Sequence, residues 1–256
     1  MGKLDDKVAV ITGGSGEIGK ATAKLFLQEG ATVALVDVNE DALKDAKEEL
    51  NAGDTVMTLT ADVTKEEDVS NYVEKVIDAH GRIDVFFNNA GIEGKVAPIV
   101  EQSLENFQNV LNVNVNGVFL GLKYVMKEMM NKGSGSIINT SSVAGLMGSP
   151  GVAPYVTSKH GVIGLTKTAA LEGAPSNVRV NSIHPSPVEG RMMRSLEEGM
   201  NPGGGEEAKQ KQMSAIPLQR YAESEDIAKL VLFLASDDSQ FISGSQYRID
   251  GGMGAT

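Results

Sequence analysis

The chain contains no cysteine, which removes disulfides, thiolate metal ligands and a cysteine nucleophile together. Cations are scarce: 23 Lys and Arg stand against 34 Asp and Glu, a net charge of −11. No Lys/Arg block interrupts that acidity. Binding to a phosphate backbone or an anionic membrane surface depends on clustered cations, so neither nucleic acid nor membrane is an expected partner. Apolar runs stay at strand length, too short to cross a bilayer. The N-terminal residues Met1-Gly2-Lys3-Leu4-Asp5-Asp6 lack a signal peptide's apolar region, and Asp6 stands where a myristoylation pattern needs Ser or Thr. A soluble cytoplasmic protein is the expectation. His80, His160 and His184 have no ligand-type spacing, so no metal site is expected.

What is present is enough for a full core: 256 residues, 41% hydrophobic, the size of one large α/β domain spanning 1–256. Short β-branched runs alternate with longer amphipathic stretches as far as about residue 185. Strands are expected near residues 8–11, 32–37, 56–60, 83–87, 136–139 and 178–183, and long helices near 17–29, 102–131 and 154–173. Such alternation predicts a doubly wound parallel sheet, a three-layer Rossmann fold with helices on both faces. One stretch, residues 189–215, breaks the rhythm. It carries Met192, Met193, Met200 and Met213 around a run of glycines, and reads either as a surface excursion or as a Met-lined lid over an apolar substrate.

The turn after the first strand reads Thr12-Gly13-Gly14-Ser15-Gly16-Glu17-Ile18-Gly19. Glycines let the backbone approach a pyrophosphate, and the helix that follows offers free N–H groups. Gly14, Gly16 and Gly19 match the dinucleotide spacing, and Asp37 ends the next strand. A carboxylate there accepts hydrogen bonds from the adenine-side ribose and repels a 2′-phosphate, and Val38 and Asn39 supply no rescuing cation. NAD is therefore favoured over NADP.

Tyr155 and Lys159 lie four residues apart in a helical stretch, so phenol and ammonium project from one face. Bringing a phenol from about pH 10 down to roughly 7–8 asks for about 3–4 kcal/mol from neighbouring positive charge. The spacing alone is a frequent coincidence. His184, beside Pro185 at a strand end, reads as structural or as part of a nearby site.

With these pieces assembled, the chain resembles the short-chain dehydrogenase/reductase family over essentially its whole length. The motifs stand in family order: the glycine turn, Asp62-Val63, Asn88-Asn89-Ala90-Gly91, Asn114, Ser142, Tyr155 with Lys159, Pro185-Ser186-Pro187-Val188, and Asp250-Gly251-Gly252. The resemblance implies an NAD(H)-dependent oxidoreductase interconverting a secondary alcohol and a ketone. Tyr155 would be the general acid/base, Lys159 would lower its pKa and hold the nicotinamide ribose, and Ser142 would bind the substrate oxygen. Asn114 would anchor a water leading from Lys159 to solvent. Gly13, Ser15, Gly16, Glu17, Ile18, Gly19 and Asp37 would face the cofactor, with Asp62 and Val63 at the adenine. Asn89, Ala90, Gly91, Pro185 and Val188 would line the rest of its cleft. Glu93, Val143, Met147, Ser186, Met192 and Met193 would shape the substrate pocket. A small alcohol or ketone substrate and a homotetramer are the partners it implies. A 3-oxoacyl-thioester (acyl-carrier-protein) reductase is an alternative reading, and a non-catalytic NAD-binding scaffold a more distant one.

Two positions depart from the family pattern. Glu17 replaces a glycine, so a carboxylate faces the pyrophosphate at a cost of roughly 1–4 kcal/mol unless it turns into water as a first-turn helix acid. Gly190 replaces a threonine that holds the nicotinamide carboxamide, and Gly190→Thr is expected to tighten that grip.

Overall fold

The computed structural model describes residues 2–255, so the two ends of the expected 1–256 unit lie outside the described residues. Seven strands form one sheet in the order 3-2-1-4-5-6-7, every pairing parallel. They are β1 (Val8–Thr12), β2 (Thr32–Asp37), β3 (Val56–Thr60), β4 (Val85–Asn88), β5 (Gly135–Thr140), β6 (Val178–Pro185) and β7 (Gln246–Ile249). All five residues of β1 are buried, as expected for a central parallel strand covered on both faces. Successive side chains alternate between the two faces. Val8 and Val10 enter one core with Tyr72 and Met129, whereas Ala9 and Ile11 enter the other with Phe26 and Leu35. The expected three-layer Rossmann fold is the observed one.

The crossover helices are α1 (Glu17–Gln28), α2 (Glu40–Leu50), α3 (Glu66–His80), α4 (Leu104–Leu111), α5 (Gly117–Lys132) and α6 (Ala153–Gly173). Local chemistry sets their ends. Asn39 caps α2 by accepting from Ala42 N at 3.0 Å, and Ser103 caps α4 by accepting from Asn106 N at 3.1 Å, each satisfying a donor the first turn leaves orphaned. The single helix expected over 102–131 is two, joined by a π-helical turn at Asn112–Asn116. That wider turn inserts residues without breaking the helix and carries Asn114 into the interior.

After β6 the chain forms α7 (Arg191–Met200) and α8 (Gly205–Ser214), then α9 (Ser224–Ala235) and β7. The irregular stretch expected at 189–215 is thus largely helical. It is tethered at its start, where Glu189 N donates to Ala222 O at 2.9 Å and the Glu189 carboxylate meets Lys209 Nζ at 2.6 Å. Among the described residues, no helix is long and apolar enough to cross a membrane.

Candidate active site

Strand order reverses at β1, whose neighbours β2 and β4 lead to opposite sides of the sheet; ligands of open α/β sheets bind outside the strand C-termini at such a point. A cleft of about 880 Å³ opens there, lined from Gly13 and Asp37 at one end to Ser142, Tyr155 and Met192 at the other. Hydrogen bonds tie the strand ends beneath it. Thr12 Oγ1 accepts from Asn89 N at 2.9 Å and Ala90 N at 3.1 Å, and Thr140 Oγ1 donates to Asn89 Oδ1 at 3.1 Å.

At one end the Gly13–Gly19 turn folds against itself. A Cβ on Gly19 would lie 2.3 Å from Gly13 O, and Gly13 itself has φ +63°, so both positions require glycine. Gly19 packs beneath the turn and does not face the cleft, contrary to its expected place in the lining. Ser15 binds Asp37 twice, from its N–H at 3.2 Å and its hydroxyl at 2.6 Å, both to Oδ2. Asn39 N donates to Oδ1 at 3.3 Å, so the carboxylate is held at the cleft's edge. Asp62 also lines the cleft, but its Oδ1 is engaged by Thr64, from N at 3.0 Å and Oγ1 at 2.7 Å.

At the other end, α6 brings Tyr155 and Lys159 to the cleft wall. Lys159 is buried, its Nζ donates to Thr140 O at 2.9 Å, and it sits 5.4 Å from the Tyr155 ring centre. Burial pulls the Lys159 ammonium down to about 8. Burial pushes the Tyr155 phenol up to about 12, partly offset by the Ser142 hydroxyl and reinforced by the Glu93 carboxylate. The chain's own groups therefore keep the phenol protonated at neutral pH. The expected lowering to 7–8 is not met by Lys159 alone, because desolvation disfavours the charged forms of both groups.

Asn114 is fully buried. Its Oδ1 accepts from Ile92 N at 2.8 Å, and its Nδ2 donates to Ile92 O at 2.9 Å and Ser158 Oγ at 3.0 Å. It stands behind the cleft lining. A Cβ on Gly91 would fall 3.2 Å from Asn114 Oδ1 and 3.5 Å from Lys159 Nζ, so a side chain there would crowd both polar atoms.

Ser142 begins the turn after β5, where its Oγ accepts from Ala144 N at 3.1 Å. Val143, Met147, Ser186, Met192 and Met193 border the same end of the cleft. Glu93 does not; it lies behind the wall, 9% exposed, with Oε1 bound to Arg191 Nη1 at 3.2 Å. Its expected place in the pocket is corrected: it anchors the start of α7. Gln212 and Met253 reach the cleft unanticipated, because only the folded chain brings α8 and the residues after β7 to this wall.

Glu17 is not turned freely into water. Its Oε1 accepts from Arg191 N at 3.0 Å and lies 3.9 Å from Arg194 Nη2. Burial works against that charge, but the Arg191 N–H and the two guanidiniums hold the carboxyl below its ordinary range. Gly190 has φ +156°, and a Cβ on it would lie 3.2 Å from Glu17 Cδ. Threonine at 190 would be strained and would crowd the carboxylate, so the expected gain from Gly190→Thr does not hold.

The geometry fits an elongated ligand with a ribose at Asp37, phosphates against the Gly13–Gly19 turn and a reactive end at Tyr155. A family model described as Enoyl-(Acyl carrier protein) reductase matches residues 14–254. Levodione reductase of Leifsonia aquatica is 39% identical, with 99% of this chain and 96% of the relative covered. A solved levodione reductase superimposes with a TM-score of 0.96, 99% of each chain covered. The 3-oxoacyl-[acyl-carrier-protein] reductase of Thermotoga maritima is 42% identical, with 98% of this chain and 99% of the relative covered. An NAD+-bound xylitol dehydrogenase structure is 37% identical with a TM-score of 0.93, covering 98% of this chain and all of that one (100%). The chain belongs to the short-chain dehydrogenase/reductase family of oxidoreductases.

Proposed function

We propose that the protein interconverts a secondary alcohol and a ketone with NAD(H), and that Tyr155 moves the proton. The observation that carries this reading is the convergence of Ser142, Tyr155 and Lys159 on one cleft wall, with Asn114 packed behind it. The bound nicotinamide would supply or accept the hydride. In reduction the neutral phenol of Tyr155 donates a proton to the substrate oxygen, which Ser142 Oγ orients. Lys159, fixed by Thr140 O, faces the phenol and stabilises the phenolate left behind. A water held between Asn114 and Lys159 beside Gly91 would link Lys159 to solvent. The Gly13–Gly19 turn would hold the phosphates and Asp37 the ribose, a carboxylate that disfavours NADP.

The α7–α8 segment serves as the lid, over residues 189–215, of one Rossmann-type unit. Its apolar underside, Met192 and Met193 with Leu196, fits an aliphatic or cyclic alcohol. Tyr155→Phe removes the proton donor and should lower turnover by about 10²–10⁴-fold; full turnover in that variant would sink the mechanism. A second reading, 3-oxoacyl-thioester reduction, draws support from the 42% identity to the Thermotoga maritima protein. Turnover of cyclohexanol with NAD, compared with an acetoacetyl thioester with NADPH, separates the two.

A further inference from the structure

The Glu17–Arg191 hydrogen bond crosses the cleft. Glu17 opens α1 beside the glycine turn, and Arg191 opens α7 on the facing wall, 174 residues further along the chain. Both residues line the same cleft. A dinucleotide laid from Asp37 to Tyr155 therefore passes between them. α7 has no side-chain cap of its own, because its N-cap is Gly190. Glu17 supplies the missing acceptor, and Arg194 lies close by. An N–H at a helix start and a nearby guanidinium suit a phosphate oxygen as well as a carboxylate. The two anions cannot share the position without repulsion.

We propose that Glu17 is a stand-in for the cofactor's phosphates: its carboxylate and the dinucleotide's pyrophosphate compete for the N-terminus of α7, so that cofactor binding releases this helix start and seats it again on the phosphates. Arg191 is the pivot. Its backbone changes partners while its side chain stays on the buried Glu93 carboxylate, keeping α7 attached beside Tyr155. Glu17 thus acts through Arg191 as a positioning residue that couples cofactor grip to the substrate side. This rests on the reading of the cleft as a dinucleotide site.

The test measures binding of NADH, ADP-ribose and adenosine by calorimetry to the full chain and to Glu17→Gln. Removing one screened unit charge should tighten NADH and ADP-ribose by about tenfold and leave adenosine unchanged. Tryptic cleavage after Arg191 and Arg194 gives a second readout. Without added ligand it should be faster in Glu17→Gln, and saturating ADP-ribose should protect both proteins equally. In Glu93→Leu, which has no acceptor for Arg191, the pivot is cut, so cleavage should stay fast with ADP-ribose bound, without the tenfold gain. Unchanged or weaker ADP-ribose binding in Glu17→Gln, or an equal gain for adenosine, overturns the proposal while leaving the cofactor reading intact. A wild-type chain that binds neither NADH nor ADP-ribose overturns both.

Discussion

The imidazole of His184 donates from Nδ1 to the backbone carbonyl of Ser142 at 2.9 Å, while its Nε2 accepts from Ser182 Oγ at 2.8 Å. The ring is fully buried. Burial lowers its pKa, only partly opposed by the Ser142 carbonyl, so the ring stays neutral with its proton on Nδ1. His184 thereby fixes the peptide that carries the Ser142 hydroxyl.

Loss of that bond orphans a buried carbonyl, at a cost of about 1–3 kcal/mol. His184→Leu should lower kcat by about tenfold with KM little changed, as expected for an interaction felt mainly in the transition state. His184→Asn, whose Nδ2 can take the place of Nδ1, should recover most of the loss. Steady-state kinetics across pH 6–9 reads both variants, and an unrescued Asn variant would show that only the ring's bulk matters.

Lys159 sets activity against stability. Its ordinary pKa of 10.5 falls to about 8 in the fold, so the native state binds this proton less well than the unfolded chain. The cost of burying the charge is fully present below pH 8 and is relieved as pH rises toward 10.5. Lys159→Met should abolish turnover yet raise unfolding free energy at pH 7 by about 1–3 kcal/mol, a gain moderated by the lost bond to Thr140. Urea denaturation at pH 7 and 10 should show the advantage shrinking at the higher pH.

Asp84 anchors the opposite end of the sheet. Its Oδ2 accepts from Val8 N at 2.9 Å, and its Oδ1 receives Arg82 Nη2 at 2.6 Å and Lys132 Nζ at 2.5 Å. Burial alone would raise its pKa, but these donors outweigh it and hold it below 3.8. Its stabilisation is thus present above the ordinary aspartate range and lost as pH falls through the lowered folded value. Asp84→Asn should cost about 1–3 kcal/mol at pH 7, because it weakens the bonds to Val8 N and to two cations that stay partly solvated. Thermal melts should show the gap to wild type narrowing below pH 3.8, with kcat of the folded variant unchanged.

Asp37 tests cofactor choice. Asp37→Ala should raise the KM for NAD about tenfold and shrink the preference over NADP, because a repulsion of roughly 1–4 kcal/mol with the 2′-phosphate disappears. Ratios of kcat/KM for the two cofactors read this directly, and an unaltered ratio would place the ribose elsewhere.

Residues adjacent in sequence carried most of what could be read without coordinates. β1 was legible because a run of β-branched residues buried on both faces admits little else, and Tyr155–Lys159 because four residues make one helical turn. β7 was not: none of its four residues is buried, so an edge strand leaves little hydrophobic pattern. The π-helical turn was hidden because it changes the hydrogen-bond register without breaking the helix, although Asn112–Asn116 alternates Asn and Val, both weak helix formers. The Glu17–Arg191 and Glu93–Arg191 contacts join residues 174 and 98 positions apart, and no local signal announces such partners.

The helices over the cleft mouth have a different standing from the sheet beneath them. α8 buries none of its residues, and α7 buries only Leu196 and Glu197, whereas Lys159, Asn114 and His184 are embedded in the interior. Substitutions on such exposed surfaces usually change stability by no more than about 0.5 kcal/mol. Substitutions at the exposed positions of α7 and α8, outside the Arg191–Glu93 contact, should therefore leave the buried Lys159, Asn114 and His184 undisturbed.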